Sequence, residues 1–196
     1  MTPHKAAPSA GGFAHPTRTV SHLGIEPGMR IADFGAGSGA YVLEIASRMA
    51  GSGHIYAVDV QRDLLLRTKR EAHVRGYTHV ETIWCDLERP NATKLAPKLL
   101  DMVLISNILF QVEMKDAVLA EAKRVLKQGG VLALIDWSES FGNLGPRKQD
   151  VVGKESALEL AQGAGFVFER EFKPGAHHYG LIFRKGLVKE RTDEKI

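Results

Sequence analysis

The chain has 196 residues, 44% hydrophobic and 25% charged, an ordinary globular composition with room for one substantial core. Its net charge of +3 and pI near 9.0 are mildly basic, and its eight histidines share in that pI, so the balance does not demand nucleic acid. A single cysteine, Cys85, excludes an intramolecular disulfide framework and any multi-cysteine metal site, and no metal is expected; with no apolar leader in MTPHKAAPSAGG and no apolar run of about 18 residues, the reading is cytoplasmic and membrane-free.

Residues 1–12, rich in Ala, Pro and Gly, read as a flexible N-terminus and 186–196 as a charged tail, leaving 13–185 as a single domain. In FAHPTRTVSHLGI, Val20, Leu23 and Ile25 follow a Pro16-Thr17 start signal, which predicts a short helix. Glu26-Pro27-Gly28 then turns the chain into strand one, Arg30 to Phe34. Gly35, Gly37 and Gly39 form a turn, and Tyr41 to Ala50 is helical, with Val42, Ile45, Ala46 and Met49 on one face. After Gly51-Ser52-Gly53, His54 to Val60 is strand two and carries Asp59 at its tip. The next helix, Arg62 to Gly76, holds Arg62, Arg67, Lys69, Arg70 and Arg75 spread around the wheel, a solvated face rather than a stripe for RNA. Val80 to Trp84 is strand three, followed by Cys85-Asp86-Leu87, where Cys85 reads as a small buried filler and not as an activated thiol.

The run DMVLISNILF, residues 101–110, has the apolar character of a central strand that ends at Ser106-Asn107. A helix from Lys115 to Leu126 stops at Gly129-Gly130 and feeds strand five, VLALIDW, with Asp136 and Trp137 at its exit. A loop with Gly142, Gly145 and Pro146 leads to a helix from Lys154 to Gln162. Phe166 to Phe172 and Tyr179 to Arg184 are then two strands of a hairpin joined by Lys173-Pro174-Gly175-Ala176. The alternation predicts an α/β, Rossmann-like doubly wound sheet of seven strands, mostly parallel, with an antiparallel seventh strand in the C-terminal hairpin. Ligands in such sheets sit at the strands' carboxyl ends. Asp33, Asp59, Asp86, Ser106, Asn107 and Asp136 should therefore share one edge, joined there by His177, His178 and Tyr179.

The stretch IADFGAGSGAY, residues 31–41, is strand, glycine turn, helix, the form of a nucleotide or nucleoside cradle. It also satisfies the loose dinucleotide fingerprint, which tolerates Ala at its last position. Asp33, two residues before the first glycine, sits badly beside a pyrophosphate but well beside an ammonium or sulfonium.

IADFGAGSG, AVDV, CDLE and LKQGGVLALIDW, in that order, resemble the class I methyltransferases that use S-adenosylmethionine, especially the small ubiquinone/menaquinone-biosynthesis-like group, over about residues 13–185. The resemblance implies S-adenosylmethionine as cofactor, with S-adenosylhomocysteine as product. It places Gly35, Ala36 and Gly37 under the cofactor's amino-acid and ribose portion, Asp33 near the ammonium, and Asp59 on the ribose hydroxyls. Val60 and Gln61 would flank the adenine, Asp86 would accept from its amino group and Leu87 would offer a backbone N–H, while Ser106 and Asn107 would line the methionine end. The competing reading of Asp86 is a helix N-cap or an Asx turn. Phe13, His15 and Arg18 would fold over the site as a lid, as the N-terminal helix does in relatives.

For an acceptor that must lose a proton, His177 and His178 are the candidate bases and Tyr179 the group to orient it. Against this, one histidine reads as a solvated hairpin residue and Tyr179 as core. The exit Ser106-Asn107-Ile108-Leu109 departs from the Asn/Asp-Pro-Pro-aromatic signature of enzymes that methylate exocyclic base amines. The cysteines of arsenite methylation and an appended RNA-binding domain are also missing. A small-molecule acceptor is thus preferred, met by in-line displacement. Two alternatives stay open: a methyltransferase for RNA or protein, docking through the cationic helix and KERTDEKI, and a nicotinamide-linked oxidoreductase or non-catalytic nucleoside-binding protein.

Overall fold

Apolar strand runs alternating with amphipathic segments give the element order α1 (Pro16–Ser21), β1 (Arg30–Phe34), α2 (Ala40–Arg48), β2 (His54–Asp59), α3 (Arg62–Val74), β3 (Val80–Trp84) and β4 (Leu100–Ser106). α4 (Lys115–Val125), β5 (Leu126–Trp137), α5 (Lys154–Gly163), β6 (Phe166–Gly175) and β7 (His178–Lys185) complete it. The structure, a computed structural model, describes residues 14–142 and 145–186. The expected flexible N-terminus, the lid residue Phe13 and the charged tail apart from Gly186 lie outside the described residues. The sheet order is β3-β2-β1-β4-β5-β7-β6, parallel throughout except where β7 runs antiparallel between β5 and β6. This is the α/β, doubly wound seven-stranded sheet that the sequence predicts.

Side chains alternate across the central strands and sort the core into two layers. Ile31, Met102, Leu104, Ala133, Ile135 and Ile182 pack with Val20, Val42, Ile45 and Leu65 beneath α1, α2 and α3. Ala32, Phe34, Val103, Ile105, Leu132, Leu134, Leu181 and Phe183 pack on the other side with Val118, Leu119, Ala157 and Ala161 of α4 and α5. By the same period of two, Asp33, Ser106, Trp137 and His178 all face the α1 side, at the carboxyl ends of β1, β4 and β5 and the amino end of the antiparallel β7.

Two boundaries differ from expectation. β5 starts at Leu126, so Gly129-Gly130 lies inside the strand and does not precede it; Gly129, at φ +70°, sits where the pairing with β4 shifts register. The C-terminal hairpin is also tighter than a four-residue connection. β6 continues to Gly175, which pairs with His178, and an irregularity between Phe172 and Gly175 takes up Lys173 and the donorless Pro174. The turn is therefore Ala176-His177.

On α3, Leu65, Thr68 and Ala72 point inward and all five basic residues named above are exposed, a solvated face. Among the described residues no helix is long and apolar enough to cross a membrane, and no cluster of three or more His, Cys, Asp or Glu could hold a metal ion.

The segment between β3 and β4 is pinned to α4 by Glu121, which is 3% exposed. Its carboxylate accepts from Thr93 N (3.0 Å), Thr93 Oγ1 (2.6 Å) and the Arg124 guanidinium (2.7 Å), while Arg124 Nη1 donates to Leu95 O (2.7 Å). Burial pushes the Glu121 pKa up, but the Arg124 and Thr93 hydrogen bonds outweigh it and hold the pKa below its ordinary value. That stabilisation is present above the unfolded carboxylate pKa and is lost as pH falls through the lowered one. Glu121→Ala should cost about 3 kcal/mol in urea unfolding at pH 7, because it strands Arg124 and two Thr93 donors. An unchanged midpoint would remove this network from the account of stability.

Candidate cofactor site

A cleft of about 540 Å³ opens at the carboxyl ends of β1, β2 and β4. It is lined by Gly35, Ala36 and Gly37 after β1, by Asp59, Val60 and Gln61 after β2, by Asp86 and Leu87 after β3, and by Ser106 and Asn107 after β4. Parallel connectivity brings these fragments together, since each strand delivers its exit to the same rim.

The glycine turn explains its own composition. Gly35 has φ +77°, and a Cβ there would stand 2.1 Å from Ile108 Cδ1, so the loop after β4 seats directly on it. Gly35 N and Ala36 N both donate to Val58 O, at 2.7 and 2.9 Å, and Gly37 N donates to Asp59 Oδ2 at 2.8 Å. These three amides are turned onto strand two and are not available to a pyrophosphate, which tells against the dinucleotide reading. Asp59 Oδ1 also accepts from Gln61 N at 2.7 Å. Each of its oxygens keeps acceptor capacity toward the cleft.

Asp86 is seen in the Asx turn that competed with its adenine role: Oδ1 accepts from Glu88 N at 2.9 Å and Oδ2 lies 3.3 Å from Arg89 Nε. It still lines the cleft. Glu88, not singled out from sequence, accepts from Glu113 N (2.9 Å) and Met114 N (2.6 Å) and fixes the approach to α4. Cys85 lines the cleft as well and is not a fully buried filler. Burial first, then the charges of Glu121, Asp86 and Asp59, push its thiol up to about 11, which makes it a poor nucleophile.

Beneath the cleft Asp33 is 1% exposed, and neither carboxylate oxygen has a hydrogen-bond partner. Burial, reinforced by the charge of Asp59, pushes its pKa up to about 7. Beside it the Tyr41 hydroxyl is buried within hydrogen-bonding reach of Thr19 and Ser106, and Asn107 Oδ1 is buried without a partner. Asn107 adopts φ +57°, a strained region that Asn tolerates better than most residues, and its backbone is held by Ile135 O and by Gln111 Nε2. Asp136 serves this loop from below. It accepts from Trp137 N (2.8 Å) and Leu109 N (3.0 Å), and burial nonetheless drives its pKa up to about 7.

His177, His178 and Tyr179 do not line this cleft; they stand farther along the same rim. Tyr179 belongs to the core, with its hydroxyl donating to Val152 O at 2.9 Å, so the expectation that it orients the acceptor gives way to an anchoring role. His177 occupies the hairpin turn, with Nδ1 2.8 Å from Glu139 Oε1 and its ring stacked on Phe141 at 3.9 Å. His178 is 5% exposed, neither ring nitrogen has a partner, and its ring lies 4.2 Å from that of Trp137. Burial, with a smaller push from His177, lowers its pKa to about 4.

The N-terminal helix is a fixed wall. Thr17 Oγ1 donates to Glu44 Oε2 (3.1 Å), Arg48 Nη2 to Thr17 O (2.9 Å) and Arg170 Nη2 to His22 O (2.6 Å), and His22 stacks on Phe172. His15 and Arg18, expected to close over the site, are exposed; Thr19 and Val20 face inward instead. Sequence reading missed Thr19, Tyr41, Ile108 and Glu88. Tyr41 had a usable signal, since it follows the glycine turn directly, whereas nothing in the sequence distinguishes Thr19 from any small helical residue.

An acceptor-only carboxylate with no donor, beside a second acid with lone pairs to spare, fits the ammonium and ribose of S-adenosylmethionine. A family model described as a methyltransferase domain matches residues 25–181. The ubiquinone/menaquinone biosynthesis C-methyltransferase UbiE of Bordetella avium (strain 197N) is 30% identical over 128 residues, 65% of this chain and 48% of that protein. The UbiE of Paraburkholderia phymatum is 27% identical over 126 residues, 64% of this chain and 50% of that one. The chain thus spans about half the length of the curated relatives it matches. Among solved structures, a SAM dependent methyltransferase from Aquifex aeolicus aligns with TM-score 0.78 at 23% identity, covering 87% of this chain and 89% of that one. The [4+2]-cyclase SpnF aligns with TM-score 0.72 at 19% identity, covering 87% and 81%. The matched model covers every strand exit that lines the cleft and settles the family: the chain belongs to the methyltransferase-domain family, and it is similar to class I S-adenosylmethionine-dependent methyltransferases.

Proposed function

We propose that this protein transfers a methyl group from S-adenosylmethionine to a small organic acceptor by in-line displacement. One observation carries the reading: a buried, donorless Asp33 under a cleft whose rim holds Asp59. A buried carboxylate of this kind wants a cation that brings its own hydrogen-bond donors. The similarity to UbiE proteins, C-methyltransferases of ubiquinone and menaquinone biosynthesis, supports a small acceptor over a macromolecule. A cytoplasmic setting fits the lone Cys85.

In this reading Gly35, Ala36 and Gly37 pass beneath the ribose and amino-acid portion, Asp33 meets the ammonium and Asp59 takes the ribose hydroxyls. Val60 and Gln61 flank the adenine, Asp86 and Leu87 meet its edge, and Ser106 and Asn107 bound the methionine end. When bound there, S-adenosylmethionine supplies an electrophilic methyl group on a sulfonium. What the chain adds is orientation and exclusion of water, with no obligatory base. For an acceptor that loses a proton, His178 is the receiving group. Its imidazole is neutral above pH about 4, and it takes the proton as charge develops beside it. His177, tied to Glu139, plays the lesser part.

Calorimetry with S-adenosylhomocysteine and NADH tests the reading: binding of the first and not the second is expected, and the reverse sinks it. Because a cyclase shares this fold, transfer itself is read by release of S-adenosylhomocysteine with a methylated acceptor. His178→Ala should lower kcat about 100-fold while leaving S-adenosylhomocysteine affinity within about twofold. Full turnover in that variant would end the assignment.

A further inference from the structure

We infer that Trp84, which stands outside the cleft lining, is a positioning residue: its indole N–H holds the Val60 carbonyl and so sets both the wall on which the nucleoside's base rests and the aim of Asp59 beside it. The inference rests on the proposed use of S-adenosylmethionine and gives a role to a residue that the reading leaves idle.

Trp84 ends β3, an edge strand, opposite Asp59 at the end of β2. It is 63% exposed, so it forgoes most of the burial that makes a tryptophan favourable in a fold. Two contacts hold it instead. Nε1 donates to Val60 O at 2.9 Å, and the Arg62 guanidinium lies over the ring, 5.6 Å from its centroid. Both fall on the segment just beyond Asp59, Val60-Gln61-Arg62, whose first two residues line the cleft. Val60 is itself 62% exposed, an apolar side chain left in water where the base would cover it.

The carbonyls of this segment are each accounted for. Asp59 O accepts from Cys85 N (3.2 Å) and Gln61 O from Leu65 N (3.3 Å), whereas Val60 O, between them, is held by a side chain. The Val60 carbonyl and the Gln61 amide belong to one planar peptide group. Its oxygen is fixed by Trp84 and its N–H by Asp59 Oδ1 at 2.7 Å, so the plane is gripped at both ends. Release of the oxygen lets the plane turn, which slackens the Gln61 bond to Asp59 and moves Val60 off the base. The other Asp59 oxygen keeps its own bond to Gly37 N at 2.8 Å. Tryptophan suits the task because its N–H only donates and sits on a rigid ring, whereas phenylalanine has no donor at all.

The test measures binding of S-adenosylhomocysteine and of 5′-methylthioadenosine, which keeps the adenosine and lacks the amino-acid arm, by calorimetry. Trp84→Phe should weaken both about fivefold, the scale of one hydrogen bond at a site open to water. Replacement of Trp84 by benzothienylalanine, which has sulfur in place of the N–H and keeps the ring, should weaken them as much. Amide hydrogen exchange should quicken at Gln61 in both variants while Gly37 stays protected, and melting temperatures should hold within about 2 °C because the ring is mostly outside the core. A Trp84→Phe protein with wild-type affinity overturns the inference, and so does a benzothienylalanine protein that binds normally, since the ring and not its N–H would then matter. Weaker binding without faster exchange at Gln61 overturns it too, as does exchange that quickens equally at Gly37. Wild-type protein that binds neither nucleoside overturns the cofactor reading and the positioning role with it.

Discussion

Asp33→Asn should make the ligand-free protein more stable and nearly unable to bind S-adenosylhomocysteine. Burial, and then the charge of Asp59, hold the Asp33 carboxyl near 7 against an ordinary 3.8. Between those values the folded chain keeps a proton that the unfolded chain has released, so stability falls as pH rises across the window, and the whole cost is present above it. Removing the ionisable group should recover about 2 kcal/mol at pH 8, after allowing for an amide that is itself unpaired, and raise Tm by roughly 4–8 °C. At pH 5 the gain should vanish, because only about 1–2 kcal/mol of that cost has accrued so little above pH 3.8, no more than the unpaired amide forfeits. Affinity should fall about 100-fold or more, since the ammonium loses its counter-charge. For the wild type, affinity should climb with pH up to about 7 and then level off. A Tm difference that is the same at pH 5 and pH 8 would show that Asp33 is not strained by burial.

Asp59→Ala should damage both the loop and the site. Its two oxygens accept from Gly37 N and Gln61 N, so the variant leaves both amides unpaired at about 1–3 kcal/mol each and unseats the glycine turn from strand two. S-adenosylhomocysteine and 5′-methylthioadenosine should both weaken, about 100-fold, because both carry the ribose. Asp59→Asn keeps one good acceptor and should lose less, and faster amide hydrogen exchange at Gly37 should appear in Asp59→Ala alone. Unchanged nucleoside affinity would mean that the ribose lies elsewhere.

The strands were legible because β1, β4 and β5 are buried on both faces and must be continuously apolar, so each polar residue that ends a run announces a rim. Asp33, Asp59, Ser106 and Asn107 were found that way, and connectivity alone brought them to one edge. The hairpin was harder. Pro174 looks like loop material, and only the shifted pairing between Phe172 and Gly175 shows it absorbed within β6. Alternation along β7 puts Tyr179 in the core and His178 on the opposite face. α1 was placed correctly as a helix with Val20 inward, but His15 and Arg18 face solvent and do not close over the site, because a six-residue segment has too few turns for its periodicity to fix every side.

Arg170 of β6 holds the carbonyl of His22 across 148 residues of chain. α1 thus docks against a strand far along the chain, and closing so long a loop is among the slow steps of assembly. α1 is therefore seated late, after the parallel strands have already brought the acids of the rim together.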